Sequence, residues 1–134
     1  MKKTGTRKGR IVRALKKVRP RGVKVTRKKV ELVFGGKKVR FRVVENSARG
    51  HVGEWHRKKP EVYVDRHLKG LDSKSIALHE AIEKYVAQKY KLDVDSQAHT
   101  VAVKAEREWL KKRKGNWRSH QMKVYHDWDR HGRK

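Results

Sequence analysis

The placement of charge decides where this chain can fold. Of its 134 residues, 39 are Lys or Arg and 14 are Asp or Glu, and the two signs are unevenly spread. Residues 1–30 carry 14 cations and no acid, residues 31–110 carry 16 cations against 12 acids, and residues 111–134 carry 9 against 2. A segment whose charges all repel one another cannot bury enough apolar surface to offset the entropy of ordering its backbone. The near-neutral middle must therefore build the core. The chain reads as one small domain, with a basic extension over 1–21, a core over 22–112 and a basic, aromatic extension over 113–134.

Inside the middle, "VELVFGGKKVRFRVV" is the clearest strand signal. Two alternating runs flank Gly35-Gly36, a pair suited to the positive φ angles of a two-residue hairpin turn. With that turn Leu32 faces Val39 and Val30 faces Phe41, so Val30, Leu32, Phe34, Val39, Phe41 and Val43 share one face. Lys29, Glu31, Lys38, Arg40 and Arg42 share the other. "ENSARGHVGEWHRKK" reads as a loop with Trp55 as an anchor, and "EVYVDRHL" as a further short strand with Val62 and Val64 on one side.

Two helices follow. The spacing predicts one from about Lys74 to Tyr90, capped by Asp72 or Ser73, with Leu78, Ala81, Ile82, Tyr85 and Val86 on its apolar stripe. A second runs from about Gln97 to Lys112, capped by Asp95 or Ser96, with Ala98, Val101, Ala102, Ala105 and Trp109 inward. The last residues show no period long enough to predict a helix. The expected class is α+β: a small antiparallel β-hairpin plus a strand, packed on an α-helical hairpin, with basic extensions at both ends.

There is no cysteine, so any metal would need His and carboxylate ligands. No run of about 20 apolar residues is present to span a bilayer, and the first residues have no signal-peptide character, so the expected location is cytoplasmic.

The first helix contains "ALHEAIEKY". At 100° per residue His79 and Glu83 lie within about 40° of each other. On the second helix His99 and Glu106 lie about 20° apart. If the two flanks face each other, all four converge. Residues 61–106 thereby resemble the zincin-like metallopeptidases. The resemblance implies that "EVYVDRHL" is the edge strand along a substrate groove and that "ALHEAIEKY" is the active-site helix. It further implies a zinc ion held by His79 and Glu83 with His99 or Glu106 as third ligand, and Glu80, pointing further out, as general base. Glu83 stands where the family has its second histidine. In the plainer reading, Glu80 with Lys84 and Glu83 with Lys89 are surface charge on an ordinary helix.

The basic ends point to a polyanion, because phosphate relieves their self-repulsion and counterion release drives binding. The residues expected to carry it are Lys2, Lys3, Arg7, Lys8, Arg10, Arg13, Lys16, Lys17, Arg19 and Arg21 in the first extension. Lys24, Arg27, Lys28, Lys38, Arg40 and Arg42 follow in the core, and Arg113, Trp117, Arg118 and Lys123 at the other end. Ile11, Leu15 and Val18 within "RIVRALKKVR" predict a short basic helix that forms against the polyanion and ends at Pro20 and Gly22. Trp117, Tyr125 and Trp128 could stack on unpaired bases or pack on the core.

In layout the whole chain is similar to ribosomal proteins of archaea, whose basic extensions thread into ribosomal RNA. The leading expectation is a structural RNA-binding protein of a ribosome-like particle, with ribosomal RNA and neighbouring ribosomal proteins as partners, no membrane, no cofactor and no catalytic residue. The alternative is a zinc-dependent hydrolase recruited to nucleic acid, with His79, Glu83 and His99 as ligands and Glu80 as base. A third reading is a non-specific DNA-compacting protein.

Overall fold

Apolar residues alternating with charged ones set three antiparallel strands side by side: β1 (Gly22–Val25), β2 (Lys29–Phe34) and β3 (Lys37–Glu45). The computed structural model describes residues 20–45, 53–66, 68–91, 93 and 97–132, except the side chains of 126–132. Thr26 closes the first turn, its Oγ1 accepting from the backbone N–H of Lys28 and Lys29 at 3.3 and 3.1 Å. Gly35, at φ +62°, closes the second. Val30 stands opposite Phe41 and Leu32 opposite Val39, the register that the alternation predicts. Val30, Leu32 and Phe41 are buried, and Phe34 stacks on Tyr85 at 4.2 Å between ring centroids. Lys29, Lys38, Arg40 and Arg42 lie exposed on the far face.

The sheet is larger than a hairpin plus one strand. Among the described residues it has five strands in the order β1-β2-β3-β5-β4, where β4 is Gly53–Trp55 and β5 is Glu61–Val64. β5 runs parallel to β3 and antiparallel to β4. The expectation that "EVYVDRHL" forms the edge is therefore corrected: β5 is interior, with Val62 and Val64 fully buried, and among the described residues the edge on that side is β4, from a segment expected to be loop. Three residues that include a glycine carry no readable alternation. β1 was missed as well, although Val23 and Val25 flank Lys24 in the pattern of a short strand.

Helix α1 (Gly70–Tyr90) packs on the sheet, and α2 (His99–Lys112) packs on α1. Every residue of α1 from Ser75 to Ala87 is buried, so the helix is covered all round rather than amphipathic. It starts four positions before the predicted Lys74, and its N-cap is Lys69, with no side-chain capping bond. Asp72, expected to cap, is engaged elsewhere. Asp95 and Ser96, the expected caps of α2, lie outside the described residues. Val101, Ala102, Trp109 and Leu110 of α2 are buried.

The terminal residues also differ from expectation. Residues Trp117–Gly132 form a further helix, α3. Asn116 caps it, Oδ1 accepting from the Ser119 N–H at 2.9 Å, and Trp117, His120 and Val124 turn toward the core. Among the described residues no helix is long and apolar enough to cross a membrane.

Candidate metal centre

The burial of α1 brings charged side chains into the interior, where each needs a partner. His79 and Glu83, one turn apart, place Nε2 and Oε2 3.2 Å from each other. His99, the first residue of α2, brings its Nδ1 to 3.2 Å from His79 Nε2 and 3.2 Å from Glu83 Oε2. The three atoms form a triangle with equal edges.

Protons alone serve such a triangle poorly. Glu83 Oε2 offers only lone pairs, and each nitrogen can carry one hydrogen. If both nitrogens are protonated, both N–H groups converge on Oε2 and two donors are held 3.2 Å apart along the third edge. If either is not, a nitrogen lone pair faces the carboxylate. A cation within reach of all three atoms is attracted along every direction at once. A tetrahedral ion with bonds of about 2.0 Å has ligand-to-ligand edges of about 3.3 Å, close to those found. His79, Glu83 and His99 could thus hold a metal ion. His79 and Glu83 are buried, whereas the His99 side chain is 51% exposed, so the group opens to solvent on the α2 side.

A surrounding layer of hydrogen bonds orients two of these ligands. Trp55 of β4 donates from Nε1 to Glu83 Oε1 at 3.1 Å, leaving Oε2 for the triangle. Glu106 of α2 lies behind His79, its Oε1 3.0 Å from Nδ1. A carboxylate only accepts, so Nδ1 donates, and a neutral His79 then has its lone pair on Nε2, inside the triangle. Glu106 is held in turn by Ser75 Oγ at 2.7 Å and His120 Nε2 at 2.6 Å, both to Oε2. The expectation that Glu106 competes with His99 as third ligand is corrected: its oxygens are taken by His79, Ser75 and His120.

Burial and charge oppose each other throughout. For His79 burial pulls the pKa down, but hydrogen bonds to Glu106 and Glu83 and the charges of Glu106 and Glu80 outweigh it and raise it to about 10. Burial pushes Glu106 up, and the hydrogen bonds of His120, His79 and Ser75 with the His79 charge bring it down to about 2. Glu83 is likewise lowered against its burial, by His79, Trp55 and His99.

Glu80 is different. Burial raises it to about 8; the His79 charge works against this, and Glu83, Glu106 and Glu54 add to it. It does not point outward as the helical wheel suggests. It is 8% exposed and lies under β4, beside Gly53. Lys84 does not pair with it as surface charge; its Nζ donates to the carbonyl of His56 and to Gln88 Oε1, and sits 5.2 Å from the centre of the Trp55 ring. Glu80, His79, His99, Glu106 and His120 share a cavity of about 390 Å³, walled on its apolar side by Ile76, Val103, Trp117 and Val124.

The sequence pattern reached His79, Glu80, Glu83 and His99. It missed Ser75, Trp55 as a Glu83 donor and His120. Of these, only His120 left a signal, since Trp117, His120 and Val124 recur at helical spacing after an Asn-capped start.

The residues expected to bind polyanion are not gathered at this site. Arg21, Lys24, Arg27, Lys28, Lys38, Arg40, Arg42, Arg113 and Arg118 are exposed. Arg27 and Arg42 are paired with Glu45 and Glu61, and Arg40 with Glu31. Trp117 is half-buried against the core with the Arg107 guanidinium 5.8 Å from its ring centre, and Lys123 pairs with Asp72 at 3.2 Å. Lys2, Lys3, Arg7, Lys8, Arg10, Arg13, Lys16, Lys17 and Arg19, the predicted basic helix around Leu15, and the Trp128 side chain lie outside the described residues. No protein-family model, curated protein or solved structure matches the chain.

Proposed function

We propose that the chain is a zinc-dependent hydrolase of amide bonds, with His79, Glu83 and His99 as ligands and Glu80 as general base. The carrying observation is the equal-edged triangle of ligand atoms with a buried carboxyl, Glu80, next in sequence to one of them and lining the same cavity as His79 and His99. Two imidazoles and a carboxylate form a familiar catalytic donor set, and a bound zinc supplies a Lewis acid that polarises a carbonyl and lowers the pKa of water.

The protein's own groups supply the rest. Glu80 accepts the proton of the attacking water and passes it to the leaving nitrogen. β4 has no further strand on its outer side among the described residues, so an extended chain can pair with it beside the cavity. Trp55 and Glu106 hold Glu83 and His79 in their ligating orientation. Glu80→Gln should keep the zinc and lower peptide hydrolysis by about 100- to 10,000-fold. Hydrolysis at the native rate in that variant would remove Glu80 from the chemistry.

A second reading rests on the net charge of +25. The extensions and the outer face of the sheet, on the side away from α1, bind RNA phosphates and bring the hydrolase to a ribonucleoprotein surface.

A further inference from the structure

His120 comes from α3, far along the chain from the ligands, and is 3% exposed. Its Nδ1 lies 2.8 Å from Asp72 Oδ1 and its Nε2 2.6 Å from Glu106 Oε2. Both partners are carboxylates, so both nitrogens donate, and the ring has no lone pair left for a metal. Trp117 packs on it at 5.5 Å between centroids, and Lys123 holds the second oxygen of Asp72 at 3.2 Å. A continuous line of hydrogen bonds runs Asp72, His120, Glu106, His79.

We propose that His120 is a positioning residue for the metal centre, which clamps Glu106 so that His79 presents its Nε2 lone pair to the ion. This rests on the metal reading given above. Without the clamp, Ser75 alone holds Oε2, and the Glu106 carboxylate can rotate away from His79 Nδ1, freeing that imidazole to turn or to change tautomer. α3, which the charge pattern makes a mere extension, becomes part of the site.

The test is zinc affinity, measured by competition with a chromophoric chelator on the full chain. His120→Met fills similar space without a donor and should weaken binding by about 10- to 100-fold, the usual effect of losing a hydrogen-bonded support behind a ligand. His120→Gln keeps an N–H at the position of Nε2 and should recover most of that loss. In the Glu106→Gln background, His120→Met should weaken binding no further, because its effect passes through Glu106. Equal affinities for the Met and Gln variants, or losses that multiply in the double variant, would overturn the positioning role while leaving the metal reading intact. A native chain that binds no zinc would overturn the metal reading and this role with it. If His120→Met does not fold, Asp72→Asn, which loosens His120 from its other side, should show a smaller loss in the same direction, and native affinity in that variant counts against the clamp.

Discussion

A β-carbon built on Gly53 would stand 2.9 Å from Glu80 Oε2 and 2.6 Å from Cγ2 of Ile76, so the edge strand rests directly on the carboxyl group proposed as general base. A contact that short has no room for a methyl group. The strand has to lift, or Ile76 and Glu80 both have to move.

Gly53→Ala should therefore cost about 1–3 kcal/mol of stability through overpacking. It should also lower hydrolysis by about 100-fold, since displacement of a catalytic group by about an ångström has that effect. Zinc affinity should fall less than activity, because β4 reaches the triangle only through the Trp55 bond to Glu83. Native activity in this variant would mean that β4 does not position Glu80.

The pH dependence of stability in the zinc-free chain has a definite sign. His79 is raised from 6.5 to about 10 and His120 is also raised, so their stabilising contributions are complete below pH 6.5 and lost as pH climbs through the raised values. Glu80, raised from 4.5 to about 8, works in the same direction: the unfolded chain ionises first, which favours unfolding between those values. Glu83 and Glu106 are lowered, and their contributions fade only in acid, for Glu106 toward about 2. Urea midpoints in chelator should peak near about pH 4.5, fall gently to about 6.5 and more steeply toward pH 9. With zinc bound, the ion replaces the Nε2 proton of His79 and the alkaline fall should shrink. A midpoint that rises from pH 6 to 9 in chelator contradicts the charge states assigned to these groups.

Phe41 is 5% exposed, opposite Val30, within the core formed by the sheet and α1. Phe41→Ala should destabilise by about 3–5 kcal/mol in urea unfolding. A loss under about 1 kcal/mol would place that ring outside the core.

The hairpin was legible because two independent signals agree on it: Gly35-Gly36 sets the turn, and alternation on either side sets the faces. Where only one signal exists, the sequence is silent. β4 is three residues long, and its place at the edge comes from pairing with β5 and from Trp55 reaching Glu83, neither of which leaves a local pattern. His79 and Glu83 were legible as a pair because helical geometry alone brings residues four apart together. That Glu80 and Lys84 are buried was not, since i,i+4 charges look the same on a solvated face and on a helix enclosed by a sheet and two other helices. His120 needed the tertiary packing of α3, because Asp72 and Glu106 belong to two other helices.

Deleting residues 1–21 should weaken RNA binding and flatten the plot of log K against log salt. Each lost phosphate contact removes about 0.7 to 0.9 from its slope. An unchanged slope would take this extension out of the RNA interface, and peptide hydrolysis should be unaffected in either case.

The most direct measurement is the zinc content of the full chain after equilibration with zinc and removal of the excess, set beside that of His99→Ala. His99 is the ligand that comes from a different helix and is half-exposed, so its removal opens the triangle with little cost to the core. The native chain should retain about one zinc per chain and the variant almost none. A native chain without stoichiometric zinc, or a variant that retains as much as the native protein, would contradict the assignment of His79, Glu83 and His99 as a metal centre.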